Sequence, residues 1–440
     1  MKRKWMALLL ALATVLSLFA ASAAAEGTQT AKTLSFDSIA GLVLRNNYTV
    51  LSLDETIAML DEIDYDEMED MLRDNIDQLE QSKQLVSDMS DGVSASIDGL
   101  LTSYEQIANM LARMPGVGGE TVDLSQTSQL LTGYVAMNAK QSLLSIESSI
   151  TALEQQLDGI DKQREEGELS IRQMETAKNQ LVMAAQSLYI GLLGLQRSDA
   201  AVTRSMEALD RTIKEMELRS KMGQISDLQL RQVQFGRTQV ESKQQTLRMN
   251  MDLLNMQLNS MIGEIVGENL TLAPLPEVTE QQLAAMDFVN DYKKAEKVSY
   301  EVYAAQKSFD DAEDAYDDAV KEYGKNSKEQ AFTAAEHNYH AAEYTYQASM
   351  QSYSIKFRTL FLQVKDYAQV LATAKENQKL KEAEYEAAKL KCQRGTISEN
   401  ACLDARDEVE TAKDSVATAA SDLFSAYNNY CWAVSCGILN

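Results

Sequence analysis

The chain has 440 residues, a formal charge of −25 and 24% charged residues, with only three prolines. So acidic a surface excludes the basic footprint of a nucleic-acid binder and disfavours general adhesion to anionic lipid. Scarce proline beside abundant Ala, Leu, Glu, Gln, Lys and Met predicts long helices rather than a loop-rich fold.

In chain order, Lys2-Arg3-Lys4, the apolar run from Trp5 to Phe19 and Ala23-Ala24-Ala25 predict a signal peptide over 1–25. Its loss removes three basic residues and takes the charge to −25 − 3 = −28. The expectation is an exported chain, with no cysteine placed to carry a lipid anchor. No later apolar run approaches the ~20 residues a spanning helix needs. Thr33 to Asp37 leads into a short amphipathic helix ending near Asn46-Asn47, and a second helix is expected from about Asp54 to Met89. The stretch from about Asp91 to Gly133 reads as the least regular, with Pro115, Gly116, Gly118 and Gly119 marking a loop. The alternation of Val93, Ala95 and Ile97 is too short for a membrane strand of ~9–11 residues.

From Ile146 the spacing becomes strict. Ile146, Ile150, Leu153, Leu157 and Ile160 alternate steps of four and three, and the rhythm continues through Leu181, Leu188, Leu195, Leu209 and Met216. About ten heptads imply a left-handed supercoil and a helix on the order of 110 Å up to Gly223. There the helix is expected to stop, with Gly223 left-handed, Arg219 and Lys221 at the negative end of the dipole, and Ser226 with Gln229 forming a capping box.

The same turn recurs. Met222-Gly223-Gln224-Ile225-Ser226-Asp227 and Arg394-Gly395-Thr396-Ile397-Ser398-Glu399 are offset by 395 − 223 = 172 positions, as are Ser187-Leu188-Tyr189 and Thr359-Leu360-Phe361. A duplicated antiparallel hairpin follows. Repeat one is assigned to 26–262, a linker holding Asn269, Pro274 and Pro276 to 263–282, and repeat two to 283–440. In repeat two a helix to about Tyr323, a turn at Gly324-Lys325-Asn326-Ser327 and a helix from Gln330 to Arg394 are expected. The return helices should end near Gly263 and Gly437. The fold class is therefore all-α or nearly so, built of two tandem repeats of long antiparallel coiled-coil hairpins.

Little chemistry is legible. His337 and His340 lie one turn apart beside Glu336 and Glu343, short of the four ligands of a structural zinc site, and read as exposed helix surface. No nucleophile–base pair, phosphate loop or metalloprotease helix is present. No catalytic residue, metal or cofactor is expected. Asp310, Asp311, Asp314, Asp317 and Asp318 read as a solvated face. Cys392 and Cys402 flank the second turn symmetrically, so an exported chain allows them a disulfide. Alternatively Cys402 is a seam residue starting the series Val409, Val416, Leu423, Tyr430. Cys431 and Cys436 are poorly spaced for pairing within a helix.

On these residues the chain resembles the outer-membrane efflux family typified by TolC. The likeness rests on the Leu34-Ser35-Phe36-Asp37 helix ending in Asn46-Asn47, the two repeats with Leu-Tyr or Leu-Phe about 35 residues before each turn, and the proline linker. The turns match the family's Gly-x-x-Ser-x-x-Asp-x-x-x-Ala pattern loosely: Gly395, Ser398 and Ala405 with Ala401 at the acidic place, and Gly223 and Ser226 with Gln229 and Val233. The resemblance implies a passive, non-enzymatic export conduit in the cell envelope: a homotrimer forming a helical barrel, working with a periplasmic adaptor and an inner-membrane transporter. It further implies that the turns are docking tips, carried here by Gly223, Ile225, Ser226, Gly395, Ile397 and Ser398. The family's membrane β-barrel should be reduced or absent, because helical turns stand where its strands belong. The competing reading is an exported coiled-coil spacer or surface protein without a lumen.

Overall fold

The computed structural model describes residues 33–112, 125–266, 270–325 and 327–439. The signal segment, the glycine loop around Pro115, Asn269 and Asn326 lie outside the described residues. Two two-residue strands, β1 (Thr33–Leu34) and β2 (Thr271–Leu272), pair in parallel. The other elements are helices: α1 (Phe36–Asn46), α2 (Tyr48–Asp61), α3 (Tyr65–Ala112), α4 (Ser125–Lys221), α5 (Asp227–Ile262), α6 (Glu280–Ala284), α7 (Phe288–Val298), α8 (Tyr300–Tyr323), α9 (Gln330–Gln393) and α10 (Glu399–Cys436). Among the described residues the fold class is as the heptads require, all-helical but for that one strand pair.

Several boundaries differ from expectation. The segment read as irregular is mostly helix: α3 runs on to Ala112 and α4 already begins at Ser125. Val93, Ala95 and Ile97 are helical. At 97 residues, α4 is on the order of 145 Å long rather than 110. The helix expected from Asp54 is instead two, because the chain breaks between Asp61 and Tyr65. The first helix of repeat two is likewise divided, at Ala285–Asp287 and again at Ser299.

Four helices form a layer in the order α5, α4, α10, α9. α4 packs on α5 and α9 on α10, and the two pairs meet along α4 and α10. Around their middle lies a belt with two clusters. In repeat one Phe36, Ile39 and Val43 of α1 and Val50 of α2 pack on Val182, Tyr189, Leu192, Leu258 and Ile262. Full burial of each such side chain contributes about 1.5–3 kcal/mol. In repeat two, Ala295 of α7 lies with Tyr353, Phe357, Val364, Leu423 and Tyr430.

The belts repeat a backbone device. Asn47 (φ −74, ψ 119) separates α1 from α2, and Ser299 (φ −74, ψ 124) separates α7 from α8. Each caps the helix that follows. Each kink also rests on a glycine ending a return helix: Gly263 (φ 73) beside Asn46, and Gly437 (φ 68) beside Ser299. A Cβ on Gly263 would lie 2.4 Å from Asn46 Cβ, and one on Gly437 2.3 Å from Ser299 Cα. Asn46 and Asn47 donate their side-chain amides to the Ile262 and Met261 carbonyls at 3.1 and 3.0 Å, satisfying carbonyls that the end of α5 leaves open. Tyr189 locks the strand pair by donating its hydroxyl to Ala273 O at 2.6 Å.

Candidate functional site

The two turns close by one mechanism. Gly223 N–H reaches Ser220 O and Gln224 N–H reaches Arg219 O, both at 2.9 Å. Gly395 N–H reaches Cys392 O at 2.9 Å and Thr396 N–H reaches Lys391 O at 3.0 Å. These are the paired 5→2 and 6→1 bonds of a Schellman ending. Both glycines are left-handed, at φ 71 and 72, and a Cβ on either would meet nothing within 4 Å. The return helices then start differently. Ser226 accepts from Gln229 N–H while Gln229 Oε1 accepts from Ser226 N–H at 3.0 Å, a complete capping box. Ser398 accepts from Ala401 N–H at 3.2 Å and gets nothing in return, since alanine has no side-chain acceptor.

Ile225 and Ile397 are half-buried in their turns while the glycines and serines are exposed. The apolar groups most open to solvent are neighbours the sequence did not single out: Met222 and Leu228 at the first tip (56% and 67% exposed) and Leu390 at the second (54%). Cys392 and Cys402 are free thiols whose side chains interact across the second turn. Burial first, and the facing Cys402 second, push the Cys392 thiol up. Cys431 and Cys436 are free.

What brings the tips together is a polar ladder between α4 and α10. Arg197 donates to Ala417 O at 2.7 Å, Arg204 binds Asp414, Arg211 binds Asp407, and Asn400 donates to Glu215 at 2.8 Å. Nearer the belt, Gln186 Oε1 accepts from Asn428 and Trp432 at 2.9 and 2.8 Å. The three arginines stand seven residues apart, as do Asp407 and Asp414, so the signal was present in the sequence as a charged heptad row. Arg211 precedes Gly223 by as many residues as Asp407 follows Gly395. The tips are therefore level. A cleft of about 620 Å³ opens beside this ladder, between Arg204, Asp407 and Asp414 and the α9 residue Val370.

The other sequence candidates stay apart from the tips. His337 and His340 are exposed on α9, His340 being 3.6 Å from Glu343. Among the described residues no cluster of three potential metal ligands forms. The acidic row on α8 is partly neutralised by Lys307 on Asp311 and Lys321 on Asp318.

No protein-family profile and no curated protein sequence matches the chain. Among solved structures it is similar to a membrane protein from Pseudomonas aeruginosa, at a TM-score of 0.51 and 10% identity over 91% of this chain and 90% of that one. Weaker similarities include the CmeC outer-membrane channel of Campylobacter jejuni (TM-score 0.41, 12% identity, 92% and 86% covered). The MtrE outer-membrane channel of Neisseria gonorrhoeae is also similar (0.42, 11%, 91% and 89%). The likeness to the Pseudomonas protein is one of fold. The long paired helical hairpins of this chain are those that its two sequence repeats imply.

Proposed function

We propose that this chain is the subunit of a passive, non-enzymatic TolC-like export conduit in the cell envelope, assembled as a homotrimer with a helical barrel wall. The observation that carries the reading is the pair of free edges on the four-helix layer. On α5, Leu228, Phe235, Met249 and Met256 lie at multiples of seven residues on the side away from α4, at 67, 63, 68 and 39% exposure. On α9, Ile355, Leu362 and Leu390 lie on the side away from α10, at 67, 54 and 54%.

Rotation about an axis keeps heights fixed, and the tips are level, so residues equally far from their tip glycines face one another between copies. That rule pairs Leu228 with Leu390 and Met256 with Leu362, sets Phe235 against the small Ala383, and places Met249 beside Val370. Two different surfaces that complement each other make a head-to-tail contact, which forms a ring when its rotation closes, here after three copies. Four alternating antiparallel helices per copy make a wall and leave the axis empty.

In this reading the level tips dock a periplasmic adaptor, with Gly223, Ser226, Gly395 and Ser398 shaping them and Ile225 and Ile397 supporting the turn from within. An inner-membrane transporter supplies the energy. At the second tip Cys392 and Cys402 form a disulfide, two protons and two electrons passing to an external oxidising disulfide by thiol exchange. Particle images of the purified protein test the core of the proposal. A hollow threefold ring end-on is the expected view, and a solid rod or a monomer would refute it. Met256→Asp with Leu362→Asp should release monomers of unchanged helicity.

A further inference from the structure

The two repeats differ most at the end away from the tips. There α3 lies antiparallel on the first part of α4, and α8 on the first part of α9. Lys307 of α8 binds Glu165 of α4 at 2.6 Å. Counting outward from that contact, α8 ends at about the level of residue 149 of α4. Beyond it α4 continues back to Ser125 over 149 − 125 = 24 residues, on the order of 36 Å, with α3 alone beside it as far as Ala112.

This lone hairpin is unlike the rest of the chain. From 92 to 112 on α3 the charged residues are Asp98 and Glu105, and from 125 to 146 on α4 there is Lys140 alone. Each arm carries two apolar rows. One row of each arm is used internally: Ile97 and Leu101 on α3, and Val135, Ala139, Leu143 and Ile146 on α4, are all at least partly covered. The second row is bare. On α3 it holds Leu85, Val93 and Leu100 (59, 44 and 72% exposed), and on α4 Leu130, Met137 and Leu144 (75, 61 and 58%). A bare apolar surface of this extent on a charged protein marks a contact site.

We propose that these bare rows are covered by further copies of this chain, so that the lone hairpins close a collar of helices beyond the end of α8 and α9. The inference rests on the ring assembly described above. One observation selects a second copy as the occupant.

It is the match of levels. The hairpin register is fixed by Arg164 on Asp66 at 2.8 Å and Lys83 on Glu147 at 2.9 Å; in both pairs the residue numbers sum to 230. Rotational symmetry transfers that register to contacts between copies. It sets Leu100 opposite Leu130 and Val93 opposite Met137, with Leu85 within one residue of Leu144. Apolar meets apolar at each step, which no lipid surface or unrelated partner would require.

Two single-cysteine chains, each with Cys392, Cys402, Cys431 and Cys436 replaced by serine, are co-expressed and mildly oxidised. The distal pair is Leu100→Cys with Leu130→Cys, and Val93→Cys with Met137→Cys repeats it. The control pair is Met256→Cys with Leu362→Cys. Each bond joins two different chains, so a covalent dimer in both distal pairs is the expected result. Dimers in the control but in neither distal pair would overturn the collar and leave the ring intact. Dimers in the distal pairs alone would keep the collar and overturn the α5–α9 edge contact. Dimers in none would overturn both. A polarity-sensitive dye on Leu100→Cys that brightens only with added phosphatidylcholine vesicles would assign the rows to lipid and also overturn the collar.

Discussion

The tips and the belt use the same residue in the same conformation for opposite purposes. Gly223 and Gly395 are left-handed in open space, whereas Gly263 and Gly437 are left-handed with another segment's backbone against them. At a tip the glycine only reverses the chain and leaves the surface free for a partner. In the belt it also lets a kinked helix sit directly on the end of a return helix. One position stands in open space and the other leaves no room.

The sharpest break in that comparison is Gly437→Ala or Gly263→Ala. Each adds strain at positive φ to a clash with backbone or Cβ atoms, so a loss of about 3 kcal/mol or more in denaturant unfolding is expected. Gly223→Ala and Gly395→Ala should cost only about 1–2 kcal/mol, the strain alone. Equal losses at all four positions would erase the distinction. Replacing Gly395 with valine should weaken adaptor binding in a pull-down, at a stability cost no smaller than that of alanine there.

The belt should also be the acid-sensitive region. Asp291, mostly buried, accepts hydrogen bonds from Tyr430 at 2.7 Å, from the backbone of Asp287 at 3.0 Å and from Lys294 at 3.0 Å. Burial pushes its carboxyl up, but the bonds from Tyr430, Lys294 and Asp287 outweigh burial and hold it below the ordinary value. A depressed folded pKa contributes stability that is present above the unfolded pKa and lost as pH falls through the folded one. Tyr430→Phe should therefore cost about 1–2 kcal/mol at neutral pH and move the acid limb of the unfolding curve upward. An unmoved limb would assign the acid transition elsewhere.

Smaller effects belong to the tips. Non-reducing mass spectrometry should find the Cys392–Cys402 peptide lighter by two hydrogens, and Cys402→Ser should leave the belt's stability unchanged. Arg211→Ala removes one rung of the ladder, with side chains only 21 and 24% exposed, and should cost about 1 kcal/mol. A loss insensitive to salt would point to packing rather than charge.

Legibility in the sequence followed the range of the interaction. The turn glycines, the capping box at Ser226 and its absence at Ser398 are decided within a few residues, and they stand as the spacing requires. The C-terminal ends of α5 and α10 at Gly263 and Gly437 were equally plain. What those glycines touch was not, because Asn46 and Asn47 reach Ile262 and Met261 from more than two hundred residues away. The lone hairpin was misread as irregular for a related reason. Its Ser, Thr and Gly lower helix propensity, and much of its apolar pattern has no partner within one chain. At the two turns the residue types were legible but the exposure was not: Met222 and Leu228 lie open, while Ile225 is half-buried.

Because α4 is a single helix from Ser125 to Lys221, the distance between the molecule's two ends is written in whole residues. Each heptad is worth about 10.5 Å and returns every side chain to nearly its own azimuth. Insertions or deletions of seven, matched on α3 or α5, would resize the protein like a ruler cut at its marks. Changes of any other length would twist one end against the other.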